Sequence, residues 1–313
     1  CPSTYVQRLP IIALGVVGFI LSRILSAYQL GHIDSVWEPF FSSPSALNGT
    51  EYIITSDVSK AWPVADGGLG AMTYVFEILM GVMGSRLRWR TMPWMVALFG
   101  IVVGPLGVVS IYFIIIQPIA IGTYCTICLL AALAMLIMIP FSLDEIVAMV
   151  QFMVWNTRRG RPFWRVFFRG DALPGSSTGG EMSFDARPAD IFRQSARGVT
   201  VPWTLALSAG IGAFLMISRA IFGNAMPLAG SDHLVGALVL TTAVIAWAEV
   251  ARPLRFLNIV FGLWLIVAPL FLAGGTVAGS LIGMVSGIAL IVLSLPRGRR
   301  SREHYGSWDR FIV

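Results

Sequence analysis

Charge is scarce in this 313-residue sequence, and lysine is almost missing from it. Asp, Glu, Lys and Arg make up 12% of residues against 56% hydrophobic, and the mean hydropathy is +0.78. So little charge cannot cover a water-facing globule, which excludes the soluble domain classes. Lysine occurs once, at Lys60, beside 21 arginines. Histidine is confined to His32, His233 and His304, and cysteine to Cys1, Cys125 and Cys128. A structural zinc site needs four clustered ligands, which residues this few and scattered do not supply. His32, Asp34 and Glu38 are a weak metal trio and fit better as an interfacial loop beside Trp37 and Phe40, so we expect no metal.

What the sequence does have is long apolar runs. Eight windows are long enough to cross a bilayer: 10–29, 68–85, 93–117, 121–140, 201–222, 233–250, 256–273 and 277–295. They lack the polar alternation of a barrel strand, so helices are predicted. The expected fold is an all-α membrane protein of about eight transmembrane helices, a four-helix bundle followed by two repeated helix hairpins. Domains are expected at 1–155 and 201–313, joined by a mobile cytoplasmic linker at 156–200 that contains the run Leu173 to Gly180.

Arginine placement orients the chain. Arg86, Arg88 and Arg90 lie between spans two and three; Arg158, Arg159, Arg161, Arg165 and Arg169 follow span four; Arg252 and Arg255 separate spans six and seven; Arg297, Arg299, Arg300 and Arg302 follow span eight. These loops are cytoplasmic by the positive-inside rule, which puts both termini inside and the segment 31–65 outside. The sequence pI of about 9.6 then reports topology and attraction to anionic lipid, and no nucleic-acid partner is expected. Cys1-Pro2 would suit a lipidated terminus, but such a terminus would sit outside, so the sequence is read as starting within a longer chain.

The chemistry lies in Thr123-Tyr124-Cys125-Thr126-Ile127-Cys128, at the outer head of span four. Cysteines three apart on a helix share a face and can close a disulfide. The outer side is where disulfides persist, within reach of soluble thiols from above and a lipid-soluble oxidant from the side. Inert packing is the competing reading. Other polar residues start from structural readings. Glu77 sits mid-span, where a carboxylate is costly unless protonated or paired; it suits interhelical hydrogen bonding, with proton uptake as the functional alternative. Ser142-Leu143-Asp144-Glu145 either starts a new interfacial helix over 146–155, anchored by Trp155 and Trp164, or continues span four. Gly104-Pro105 reads as a kink in span three.

Beyond the linker, Gly212-Ala213-Phe214-Leu215-Met216-Ile217 recurs as Gly262-Leu263-Trp264-Leu265-Ile266-Val267, and His233-Leu234-Val235-Gly236 as Ser280-Leu281-Ile282-Gly283. This suggests a duplicated hairpin with glycines at close helix approaches. The stretch Leu257 to Pro269 and the tail Tyr305 to Arg310 resemble the SPW-repeat membrane domain, although the signature Ser-Pro-Trp is here Ala268-Pro269-Leu270.

The first half resembles the vitamin K epoxide reductase family, whose bacterial members are quinone-linked thiol oxidants. The resemblance covers about residues 8–155. It rests on four spans, a long outer loop after the first, Cys125-Thr126-Ile127-Cys128 heading the fourth, and Gly70-Ala71-Met72-Thr73-Tyr74-Val75-Phe76-Glu77-Ile78-Leu79-Met80-Gly81 in the second. It implies a four-helix bundle holding quinone (ubiquinone or menaquinone) beside the dithiol. The deeper Cys128 passes electrons to quinone, and Cys125 exchanges with incoming thiols. Asp66 falls at the family's quinone hydrogen-bonding position, with Gly70, Tyr74 and Glu77 on the same helix; Ala132 replaces a family tyrosine. In the outer loop Ser59 and Trp62 match the family's serine and aromatic neighbour, but Ile53 or Ile54 takes the place of a relay cysteine and the loop has none.

Two functions follow. One is a quinone-dependent thiol oxidoreductase of the bacterial inner membrane, forming disulfides with a periplasmic thioredoxin-like thiol protein acting in trans. The other is a non-enzymatic scaffold or accessory subunit of a larger membrane complex.

Overall fold

Two capping boxes set the beginning of the chain in the computed structural model, which describes residues 2–61, 63–171 and 187–298. The Thr4 hydroxyl accepts the Gln7 N–H while the Gln7 side chain accepts from the Thr4 backbone, starting α1 (Tyr5–Gln29). Asn48 and Glu51 repeat the device at α2 (Gly49–Ile54), a short helix in the outer loop followed by α3 (Asp57–Lys60). Next come α4 (Asp66–Val82), α5 (Arg88–Thr91) and α6 (Pro93–Ile116), which has proline at its first position, where no N–H is needed. A π-helical turn, Gln117–Ile121, leads to α7 (Thr126–Arg158). Then follow α8 (Phe163–Arg169), α9 (Pro188–Ser195), α10 (Trp203–Phe222) and α11 (Leu228–Ile245). A 3₁₀ segment, Glu249–Phe256, joins α11 to α12 (Leu257–Phe271) and α13 (Val277–Ser294). Among the described residues none forms a strand, so this is an all-α membrane protein. Among the described residues seven helices are long and apolar enough to cross a bilayer. The eighth expected span is α4, which at 17 residues reaches only about 25 Å.

Helices α1, α4, α6 and α7 form the first bundle around Ile11, Tyr74, Met80, Phe99, Val103, Met135 and Met138. Gly18 is required there, since a Cβ would lie 2.3 Å from the Tyr74 ring. In the second half α10 packs on α11 and α12 on α13. The crossings are glycine on glycine: a Cβ on Gly236 would meet the Gly212 carbonyl at 2.6 Å, and one on Gly287 the Gly262 carbonyl at 2.5 Å. The packing partner of Gly262 is therefore Gly287. Gly283, the expected counterpart of Gly236, has nothing within 4 Å of its Cβ position, so the sequence echo was one helical turn out of register.

Other expectations change as well. Helix α7 runs through Pro140 without a break, so Ser142–Glu145 starts no new helix. Ser142 bonds back to the Met138 carbonyl, and Glu145 is buried against Arg88. The arginines counted as loop charges include three that are at most 2% exposed, Arg88, Arg252 and Arg255. Arg88 donates to the carbonyls of Met80 and Met83 at the end of α4 as well as to Glu145. Arg255 donates to the Ser294 carbonyl and Arg252 to Thr200. The segment 156–200 is helical at both ends, with Val166 of α8 in a core with Val96 and Phe152 and with α9 packed on α1. The run 173–180, Cys1, and the tail 305–310 lie outside the described residues.

Candidate functional site

Cys125 is not within the helix as the spacing suggested; it is the residue that caps it. Its extended backbone (φ −117°, ψ 111°) precedes α7, and its sulfur accepts the Cys128 N–H at 3.0 Å. The two cysteines are joined in a disulfide, with Cα atoms 5.2 Å apart. The turn is anchored from two sides. On one side the side-chain oxygen of Gln117 accepts the Cys125 N–H at 3.1 Å. Pro118 has no N–H to close a helical bond onto Ile114, and a ring nitrogen of His233 lies 3.2 Å from that carbonyl. The other ring nitrogen lies 3.4 Å from the hydroxyl of Tyr124, so α11 of the second half braces the residue beside Cys125.

On the other side lies the outer loop, through Glu38. Its carboxylate accepts the Thr126 N–H at 2.8 Å, the Thr126 hydroxyl, the Thr50 hydroxyl at 2.6 Å and the N–H groups of Phe40 and Phe41. The weak metal trio that the sequence reading set below an interfacial loop is not assembled: Glu38 is committed to these donors, while His32 and Asp34 are exposed. The loop packs Val36, Ile53 and Ile54 against Cys125 and Ile127. Cys125 is consequently 0% exposed, contrary to the expectation that it faces incoming thiols. The positions of the missing relay cysteine are part of the lid over the disulfide.

Cys128 is less enclosed. It opens onto a cavity of about 460 Å³ between α1, α4, α6 and α7. Asp66, Gly70 and Tyr74 line it with Cys128, as do Gln117, Ile54 and Ala132. The wall is mainly apolar with a few polar groups, the usual make-up of a small-molecule site. Asp66 is held by Gln29, whose amide nitrogen lies 2.5 Å from its carboxylate and also donates to Ser59 and to the Ile54 carbonyl. Ser59 is thus a buried strut behind the cavity; Trp62 lies outside the described residues. The Tyr74 hydroxyl donates to the Ala131 carbonyl at 2.8 Å. Glu77 does not line the cavity. It is 0% exposed, and among the described residues neither oxygen has a hydrogen-bond partner, so the expected interhelical bond is not made there.

Gln29 and Gln117 went unread in the sequence, and Glu38 was read only as an interfacial-loop residue. The available signal was that each glutamine is a lone amide at the end of an apolar run.

Residues 9–143, which contain the bundle core, the cavity walls and both cysteines, match the sequence model of the Vitamin K epoxide reductase family. No curated protein and no solved structure matches the chain.

Proposed function

We propose that this protein is a quinone-linked thiol oxidoreductase of the vitamin K epoxide reductase type that makes disulfides in extracytoplasmic proteins. The observation that carries this is the position of Cys128: one sulfur of a reducible disulfide forms part of the wall of a cavity of about 460 Å³. The cavity suits a quinone, with apolar walls for the ring and polar side chains at Asp66 and Gln117 for its carbonyl oxygens.

A substrate thiolate attacks the Cys125 sulfur, the Cys125–Cys128 bond breaks, and Cys128 leaves as a thiolate. A second substrate thiolate then attacks the substrate sulfur of this mixed disulfide. The substrate gains a disulfide, and the chain is left with two reduced cysteines. The departing Cys125 keeps the Cys128 N–H as a donor at the α7 terminus, which favours its thiolate. Quinone, when bound, takes up two electrons and two protons as Cys125 and Cys128 close again. Because the 31–65 loop has no cysteine, the thiols come from a separate protein, for which a periplasmic thioredoxin-like carrier is the fitting class. The loop must lift off Cys125 for each exchange. We read ubiquinone or menaquinone as the oxidant, the bacterial inner membrane as the location, and the 201–313 half as an SPW-repeat domain on the resemblance of 257–269.

The test is a trap. Cys128→Ser removes the resolving sulfur and is expected to leave the carrier on Cys125 as an adduct released by reductant; Cys125→Ser leaves little. Absence of an adduct under oxidising conditions, with wild-type disulfide formation in cells carrying the double serine variant, would overturn the proposal.

A further inference from the structure

Gln117 is 1% exposed yet lines the cavity that Cys128 opens onto. The π-helical turn it begins ends with the Gly122 N–H on the Gln117 carbonyl, at a glycine with φ +85°. Such turns often mark functional positions. The amide is oriented by what it must accept: the Cys125 N–H needs an oxygen, so the side-chain oxygen points to the disulfide turn. The NH₂ end is then left over, and among the described residues no side chain or carbonyl accepts from it.

A buried amide with two unspent donors calls for an acceptor, and among the described residues no group on the neighbouring walls is hydrogen-bonded to it. The Thr73 and Tyr74 hydroxyls give their protons to backbone carbonyls, and the Asp66 carboxylate is itself an acceptor for Gln29 and the Gly67 N–H. The Ser22 and Ser110 hydroxyls also lie on the wall. Gln117 differs from them in being bonded to the backbone of the disulfide. We infer that Gln117 is a ligand-binding residue whose side-chain nitrogen donates to a carbonyl oxygen of the molecule held beside Cys128. The inference rests on the quinone-linked reading for the identity of that molecule. One amide would then touch both redox partners, taking a hydrogen bond from Cys125 and giving one to the quinone carbonyl. That second bond strengthens as charge builds on the oxygen during electron transfer.

The experiment uses the full-length protein in lipid nanodiscs with a short-chain ubiquinone, comparing wild type, Gln117→Leu and Gln117→Glu. Gln117→Leu is expected to raise the quinone KM about tenfold, the effect of one lost hydrogen bond. The opening of the Cys125–Cys128 disulfide by dithiothreitol, followed without quinone, is expected to change by clearly less than that factor, since leucine removes the acceptor of the Cys125 N–H as well. Gln117→Glu keeps an oxygen for the Cys125 N–H, and its protonated acid can donate; its KM is expected to fall toward wild type between about pH 8.5 and pH 5. A wild-type KM for Gln117→Leu would overturn the inference while leaving the quinone-linked reading intact. A dithiothreitol step slowed as much as KM is raised would assign Gln117 to scaffolding and also overturn it. No quinone turnover by wild type would remove both.

Discussion

Glu38 closes on Thr126, taking its backbone N–H at 2.8 Å and its hydroxyl with the same carboxylate. The pair ties the outer loop to the first residue of α7, beside a fully buried Cys125. Burial alone would push the Glu38 carboxyl up; hydrogen bonds from Thr126, Thr50 and the Phe40 N–H outweigh it and hold the group below its ordinary value of 4.5. A carboxyl with a lowered folded value stabilises the closed loop fully above its ordinary value and loses that contribution as pH falls through the lowered one. At neutral pH the latch is therefore engaged. Glu38→Ala removes it, at about 2 kcal/mol for hydrogen bonds to a charged group, so exchange at Cys125 should quicken roughly 30-fold. Stopped-flow reduction by a small dithiol between about pH 5 and pH 8 measures this, and an unchanged rate would show that the loop opens without releasing Glu38.

At the opposite end of the bundle, Arg88 and Glu145 pair through two contacts of 2.5 and 2.6 Å, and neither side chain is more than 4% exposed. Removing one partner strands the other, at about 3–5 kcal/mol. Glu145→Leu should lower the unfolding temperature of the purified protein markedly, and Arg88→Met with Glu145→Leu should cost less than Glu145→Leu alone. A double variant worse than the single would mean that the Arg88 bonds to Met80 and Met83 outweigh its pairing.

The apolar windows and the cysteine pair made the helices and the reactive element readable, because burial in lipid demands unbroken apolar length. Asp66, Gly70 and Tyr74 share a cavity with Cys128, a grouping reached by resemblance and not by spacing. What stayed illegible were contacts between distant segments. No local pattern tells that Glu38 meets Thr126, that Gln29 meets Asp66, or that Arg88 turns inward to Glu145 while Arg158 stays exposed. The extent of α7 stayed open for a similar reason: Ser142 to Glu145 can start a helix or continue one, and tertiary packing of the residues after Pro140 carries the helix on.

The hairpin register gives a sharp contrast between two glycines on one helix. Gly287→Val places a Cβ 2.5 Å from the Gly262 backbone carbonyl, while Gly283 has nothing within 4 Å. Backbone cannot step aside as a flexible side chain can, so Gly287→Val should destabilise by at least about 1–3 kcal/mol. Gly283→Val should be close to neutral. Thermal unfolding of the two variants in the same detergent decides it, and equal losses would restore the register in which Gly283 pairs.

Topology is the remaining expectation that one experiment resolves. The buried Arg88, Arg252 and Arg255 are less simple markers of loop charge than they looked, since each is tied to protein groups. The orientation therefore rests on the arginines that stay exposed at the end of α7 and in α8: Arg158, Arg159, Arg161, Arg165 and Arg169. By the positive-inside rule, five cations within a short stretch are expected on the cytoplasmic side. The loop carrying Ser45 lies at the other end, bonded to Thr123 through the Ser42 carbonyl. In a background with Cys1 replaced by serine, a cysteine at exposed Ser45 should react with a membrane-impermeant maleimide in intact cells. A cysteine at exposed Thr157 should react only after the membrane is opened. The reverse pattern would put the disulfide on the cytoplasmic side, where thiols are kept reduced, and the oxidase reading would lose its compartment.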